Sequence, residues 1–182
     1  MDHAIDMPIP DVEALKRLVR DVPDFPKPGI CFKDITPLLG HPAGLSIAVE
    51  YLTQPWRHRH VDLVVGAESR GFIFGTAVAR NLSAGFVPIR KPGKLPRKTR
   101  SASYELEYGT DSLEIHEDAV RPGANVLMID DLLATGGTMR ACCDLVNHFD
   151  CRIVGCAFLI ELEALKGRDR LSGVEVHSVL HY

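Results

Sequence analysis

The sequence predicts an α/β fold, a mainly parallel twisted sheet flanked by helices, from three observations. Apolar runs of strand length at 61–66, 85–89, 126–129, 152–160 and 174–180 alternate with helical patterns, the alternation that builds a parallel sheet. The run Val126–Ile129 passes directly into two carboxylates, Asp130 and Asp131. Charges are expensive to bury unpaired, so this pair marks the carboxyl end of a buried strand, where such sheets bind ligands. The small loop Ala134-Thr135-Gly136-Gly137-Thr138 then leads into a helical stripe of Met139, Cys142, Leu145, Val146 and Phe149.

The remaining elements follow in order. A first helix is expected over 11–22, capped by Asp11, with Val12, Leu15, Leu18 and Val19 on one face and Pro23 as its stop. Pro26, Pro28 and Pro37 stiffen 24–39 and are expected to keep it out of regular sheet. Ordered loops of this length are often functional. On composition, Phe25 and Phe32 suit packing plugs; Phe32 also suits the wall of a pocket for a flat heterocycle. A helix is expected over 43–56, striped by Leu45, Ala48, Val49 and Leu52. Strand 61–66 turns through Ala67-Glu68-Ser69-Arg70-Gly71 into a helix over 72–82, where Gly75 and Ala77 permit close packing.

Six of the eleven residues at 90–100 are basic, and Pro and Gly keep them irregular. Alone, such a run suits a solvated surface loop, a nucleic-acid patch or a cover for a polyanion. Residues 101–109 read as an extended arm, with Glu105 and Glu107 on one side and Tyr104 and Leu106 on the other. A hairpin turn near 109–111 leads into 113–116.

The chain of 182 residues, 46% hydrophobic and 25% charged, is expected to form one domain over 1–182. Its net charge of −3, with no acidic or basic half, gives no support for nucleic acid or an anionic membrane as a main partner. No apolar run approaches spanning length, and the start Met-Asp-His-Ala-Ile-Asp lacks a signal-peptide core. A cytoplasmic protein is therefore expected. The five cysteines form no Cys-x-x-Cys pair and no zinc-type array, and read as reduced core thiols. His58 and His60 flank Arg59 in a polar, surface-type stretch.

The order strand, acidic pair, small polar loop, helix has a chemical use. Glycines let the backbone approach an anion, and a helix start presents unpaired N–H groups and the positive end of its dipole. Thr135 and Thr138 add hydroxyl donors, so a phosphate fits. The carboxylates can accept hydrogen bonds from sugar hydroxyls or approach a metal. Adjacent strand residues face opposite ways, so Asp130 and Asp131 are expected to differ in role. Arg70, in a second strand-to-helix turn, has the forked donors that suit phosphate.

Residues 126–138 resemble the phosphoribosyl-pyrophosphate signature of the type I phosphoribosyltransferases. From about Asp21 onwards, the hood string at 24–39, Glu68-Ser69-Arg70-Gly71, the basic loop and Leu106-Glu107-Tyr108-Gly109 are similar to the adenine phosphoribosyltransferases within that family. The resemblance implies the type I fold, with a base-covering hood within residues 1–40 and a flexible catalytic loop. It implies transfer of phosphoribosyl from 5-phosphoribosyl 1-pyrophosphate to adenine, giving AMP and pyrophosphate, in a homodimer. Magnesium would be carried mainly by the substrate, with no direct side-chain ligation. Asp130, Asp131, Ala134, Thr135, Gly136, Gly137 and Thr138 would hold the sugar phosphate, and Arg70, Lys91 and Lys94 the pyrophosphate. Phe32 and Leu162 would cover the two faces of adenine, and backbone at Cys31 and Lys33 would bond its edge. Many relatives carry Arg where this chain has Lys33. Glu107 would be catalytic, with Tyr108 beside it, and Glu68–Ser69 would be a cis peptide. A transferase for another purine, or a non-catalytic binder of the same activated sugar, shares most of these residues.

Overall fold

The structure, a computed structural model, describes residues 11–105 and 110–182, the side chains of residues 105 and 110 apart. Two compact units divide it, Met1–Tyr51 and Leu52–Tyr182.

In the first unit, α1 (Val12–Lys16) starts at Asp11, whose carboxylate accepts the Ala14 N–H at 2.8 Å. The helix expected as far as residue 22 stops early. Residues 20–23 instead form β1 (Arg20–Pro23), antiparallel to β2 (Cys31–Asp34) in the register Asp21↔Lys33. Backbone pairing across the turn overrides the helical stripe, a choice that tertiary partners make and local pattern does not. Nor is 24–39 irregular throughout. Pro26 and Pro28 fall in the turn between the strands, and Pro37 sits in the first turn of α2 (Thr36–Leu39), where a missing N–H costs nothing. Helix α3 (Pro42–Thr53) follows, its last two residues belonging to the second unit. Leu15, Ile35, Leu38, Ala48 and Val49 are buried.

The second unit is built on a five-stranded parallel sheet, in the order β4 (Gly85–Ile89), β3 (Leu63–Ala67), β7 (Asn125–Leu133), β8 (Arg152–Glu161), β9 (Val176–His181). Consecutive strands β3 and β4 are joined by α4 (Gly71–Leu82), and β7 and β8 by α5 (Gly137–Asn147). Central β7 is dry: Val126, Leu127, Met128 and Ile129 are at most 1% exposed. Burial on both faces explains its unbroken apolar run. On α5, Met139, Cys142, Leu145 and Val146 are buried in the core as the stripe predicts. On α4 the expected close approach occurs at Gly75, where an added Cβ would lie 2.6 Å from the Phe86 ring. The described part of the arm and its return form an antiparallel pair, β5 (Thr99–Glu105) and β6 (Thr110–His116); 106–109 lie outside the described residues. Three cysteines, Cys142, Cys143 and Cys156, are buried free thiols. Cys31 is exposed and so departs from the expected core placement, because it opens an edge strand of the small hairpin.

Asp62 ties the entries of β3 and β7 together. Its carboxylate accepts the Asn125 N–H at 2.9 Å and pairs with Arg121. These bonds, the Asn125 N–H first, lower its pKa to about 2. A carboxylate held more acidic in the fold than in the unfolded chain stabilises above the ordinary carboxylate range and loses that contribution as pH falls towards the folded value. Urea titrations between pH 5 and pH 2 should therefore show a shallower acid-side loss of stability in Asp62→Asn than in the parent protein.

Candidate active site

The sheet opens at one place. Strand β3 stays paired with β7 only as far as Gly66↔Ile129, whereas β7 stays paired with β8 as far as Leu133↔Glu161. The aspartates therefore do not terminate the strand, as the sequence suggests; β7 runs three residues past Asp130 because β8 continues to hold its backbone. On the other side the chain leaves β3 through Glu68-Ser69-Arg70 into α4. The Glu68–Ser69 peptide is cis, as the resemblance implies. Gly71 begins α4 against the acidic residue: a Cβ there would lie 2.8 Å from Asp130 Oδ1 and 3.3 Å from Asp130 Cα.

Beyond β7 the small loop enters α5. Gly136 caps it in the left-handed region, φ 80°, and no side chain caps the helix. The first bond of the helix runs from the Arg140 N–H to the Gly136 carbonyl at 2.9 Å. The N–H groups before it have no intrahelical partner, and the helix dipole favours an anion in front of them. Such a helix start suits an anion.

A cleft of about 320 Å³ joins these parts. Its lining contains Glu68, Ser69 and Arg70 from the β3–α4 turn, Lys91, Tyr104 and Asp111, then Asp130 to Met139 without a break. Arg70 Nε lies 2.9 Å from Asp131 Oδ2, and the Asp131 N–H donates to Asp130 Oδ1 at 2.8 Å. Burial pushes both carboxyls up; at Asp130 the neighbouring Asp131 charge adds to it, and at Asp131 the Arg70 guanidinium opposes it. Lys91 Nζ pairs with Asp111 Oδ2 at 3.2 Å, which raises the lysine pKa. Glu68 accepts the Lys91 N–H at 2.8 Å, which lowers its own pKa, and it also pairs with Arg90 at 3.2 Å. The lining thus carries four carboxylates, from Glu68, Asp111, Asp130 and Asp131, against two cations, from Arg70 and Lys91. Among the described residues, no three acidic, His or Cys side chains are grouped to hold a metal. Such an acidic surface, meeting a polyanion, fits a divalent cation carried on the ligand's own oxygens.

Of the residues expected at the site, Arg70, Lys91, Asp130, Asp131, Ala134, Thr135, Gly136, Gly137 and Thr138 line this one cleft. Lys94 is exposed and is not in the lining. Leu162 is half-buried at the end of β8, its N–H donating to the Leu133 carbonyl at 2.9 Å. In the first unit, Phe32 meets Phe25 edge to face with centroids 5.2 Å apart, and Lys33 Nζ lies 2.6 Å from Asp21 Oδ1. Phe25 is 51% exposed, so it is not a core plug. Cys31 is exposed. Glu107 and Tyr108 lie outside the described residues. The sequence reading did not single out Glu68 or Asp111 as site residues. Each lies next to a residue or turn that it did name, but an acid in a turn carries no signal of the lysine it faces across the fold.

Arg70 compensates a buried carboxylate, so Arg70→Met should destabilise the protein by about 2–4 kcal/mol. Asp131 already has a raised pKa, and removing the guanidinium raises it further, so the penalty should grow as pH rises from 4 to 8. Thermal unfolding of both proteins across that range checks the sign.

The phosphoribosyl transferase domain family matches residues 36–179. The adenine phosphoribosyltransferase of Rhodopirellula baltica is 59% identical over 168 residues, covering 92% of this chain and 82% of its own length. That of Nitrosococcus oceani is 56% identical over 94% of this chain and 100% of its own. Among solved structures, the enzyme of Rhodothermus marinus superposes with a TM-score of 0.90 at 56% identity, covering 94% of this chain and 98% of its own. The Saccharomyces cerevisiae enzyme, complexed with adenine and an imino-altritol bisphosphate, superposes with a TM-score of 0.87 at 38% identity, covering 92% and 97%. With an acidic pair, a glycine-capped helix start and an arginine turn meeting in one cleft, the chain belongs to the adenine phosphoribosyltransferase family of type I phosphoribosyltransferases.

Proposed function

We propose that the protein transfers phosphoribosyl from 5-phosphoribosyl 1-pyrophosphate to adenine, giving AMP and pyrophosphate. One observation carries the reading: an unpaired helix start, an acidic pair and two cations share a single cleft. The choice of adenine rests on the relatives, which are named for it at more than half identity over nearly the whole chain.

The bond from the anomeric carbon to pyrophosphate breaks, and a bond from that carbon to a ring nitrogen of adenine forms. Backbone N–H groups of Ala134 to Thr138, with the Thr135 and Thr138 hydroxyls, seat the 5′-phosphate. Asp130 and Asp131 accept hydrogen bonds from the ribose hydroxyls and face the positive charge that grows at the anomeric carbon. Arg70 and Lys91, joined by Lys94 from the basic loop, hold the leaving pyrophosphate. Magnesium would enter with the substrate beside Asp130 and Asp131, without a direct side-chain ligand, and would make pyrophosphate a better leaving group. Fixing both ends of the sugar phosphate is the positioning that converts an encounter into an oriented attack. Phe32, the backbone at Cys31 and Lys33, and Leu162 are assigned to adenine, and Glu107 to the purine proton near N7; both assignments rest on the family resemblance. A homodimer in the cytoplasm completes the proposal. No described helix is long and apolar enough to cross a membrane.

Two measurements test this reading. In competition among adenine, hypoxanthine and guanine for the activated sugar, adenine should win; preference for an oxopurine sinks the base assignment. Glu107→Leu should lower kcat by about a hundredfold or more. Full turnover in that variant rejects its role. If ribose 5-phosphate binds the protein but no base is ever converted, the protein is instead a non-catalytic sensor of the sugar.

A further inference from the structure

We infer that Arg168, outside the cleft, is a positioning residue that sets the shape of the phosphate loop; the inference rests on the sugar-phosphate reading above. Two glycines bring the phosphate loop against its neighbour. Gly136 is in the left-handed region, and a Cβ there would lie 2.4 Å from the Gly167 carbonyl oxygen. Conversely, a Cβ on Gly167 would lie 2.3 Å from the Ala134 carbonyl oxygen and 2.9 Å from the Leu133 side chain. The loop 134–136 is therefore folded directly onto the backbone at Gly167, with no room for a methyl group on either side. This turn is the wall against which the anion seat is formed.

Arg168, the next residue, fixes the wall. It sits in a 3-10 segment, Gly167–Leu171. Its Nε and Nη2 each donate at 2.7 Å to the two carboxylate oxygens of Glu161, the last residue of β8. Its Nη1 donates to the Val176 carbonyl at 2.8 Å, and its Nη2 reaches Ser178 Oγ at 3.4 Å, both on β9. The Glu161 side chain is 5% exposed, so this is a forked, charge-assisted grip on a buried carboxylate. Glu161 is also paired with Leu133, the last residue of β7 before the loop. The guanidinium therefore locks the Gly167 turn to the same strand ends from which the phosphate loop departs. Lysine has the charge but not the fork, so it holds the turn less rigidly.

The test is calorimetric titration of the full chain with two probes, ribose 5-phosphate and inorganic pyrophosphate. Arg168→Ala should bind ribose 5-phosphate about tenfold more weakly, and Arg168→Lys should fall between it and the parent. Pyrophosphate affinity should stay within about twofold of the parent in both. Gly167→Ala, which alters the wall and leaves the ion pair in place, should reproduce the selective loss. Arg59→Met removes a similar forked pair with Glu175 at 2.7 and 2.9 Å, away from the cleft. It should leave both affinities unchanged. The inference is overturned if folded Arg168→Ala binds ribose 5-phosphate like the parent, or if it weakens both probes equally. Should Arg168→Ala fail to fold, Arg168→Lys decides by the same comparison. A parent protein that does not bind ribose 5-phosphate removes the sugar-phosphate reading instead.

Discussion

The cleft depends on one asymmetry in the sheet. Strand β7 loses β3 at Ile129 but keeps β8 to Leu133. A strand held on one side only can turn carboxylates towards the gap on the other without losing its backbone bonds. The gap admits the turn after β3, and with it Arg70, whose guanidinium stands 2.9 Å from Asp131. Burial raises the pKa of both aspartates, and that cation and the Asp131 N–H oppose the rise. The four parts of the site, acidic pair, arginine turn, glycine loop and helix start, all follow from where the pairing of β3 stops.

Much of this was legible in the sequence, for physical reasons that vary by residue. The stripe on α5 is legible because Met139, Cys142, Leu145 and Val146 obey the helical period and all are buried. Gly136 is legible as a glycine that lets backbone approach an anion, and its left-handed φ favours the same residue. The end of β7 is not, because strand length past Asp130 is set by pairing with β8, as at Leu133↔Glu161, which neither period nor composition records. The first helix misleads for the same reason. Val12, Leu15, Leu18 and Val19 fit a helical face, but pairing with 31–34 claims the backbone from Arg20 onwards.

The site was legible in residue type and less so in arrangement. Forked donors mark Arg70 as suited to phosphate, but nothing in the sequence marks it as the counter-charge of Asp131. Lys91 and Lys94 looked equivalent in a basic run, yet only Lys91 lines the cleft. The difference is the fold's: the Lys91 N–H is bound to Glu68, which pins its Cα at the rim, while Lys94 lies three residues further along an exposed turn. Asp111 carries no motif, and Glu68 enters only as part of the Glu68-Ser69-Arg70-Gly71 turn. They matter through the cations they face, a relation that exists only once the hairpin and the sheet are folded.

The Lys91–Asp111 pair has a thermodynamic corollary. The ammonium group already meets a carboxylate, so a phosphate oxygen that took the place of Asp111 on it would displace one anion to become the next. Capture is then an exchange of partners, and the gain is the difference between two similar attractions. Such a lysine adds little to tightness. It contributes selectivity instead, since an anion carrying less charge than a diphosphate competes poorly with a carboxylate already in place. Once displaced, Asp111 would no longer tie β6 to the rim at Lys91, so filling the cleft would release a tether one pair from the Glu105↔Thr110 end of the hairpin.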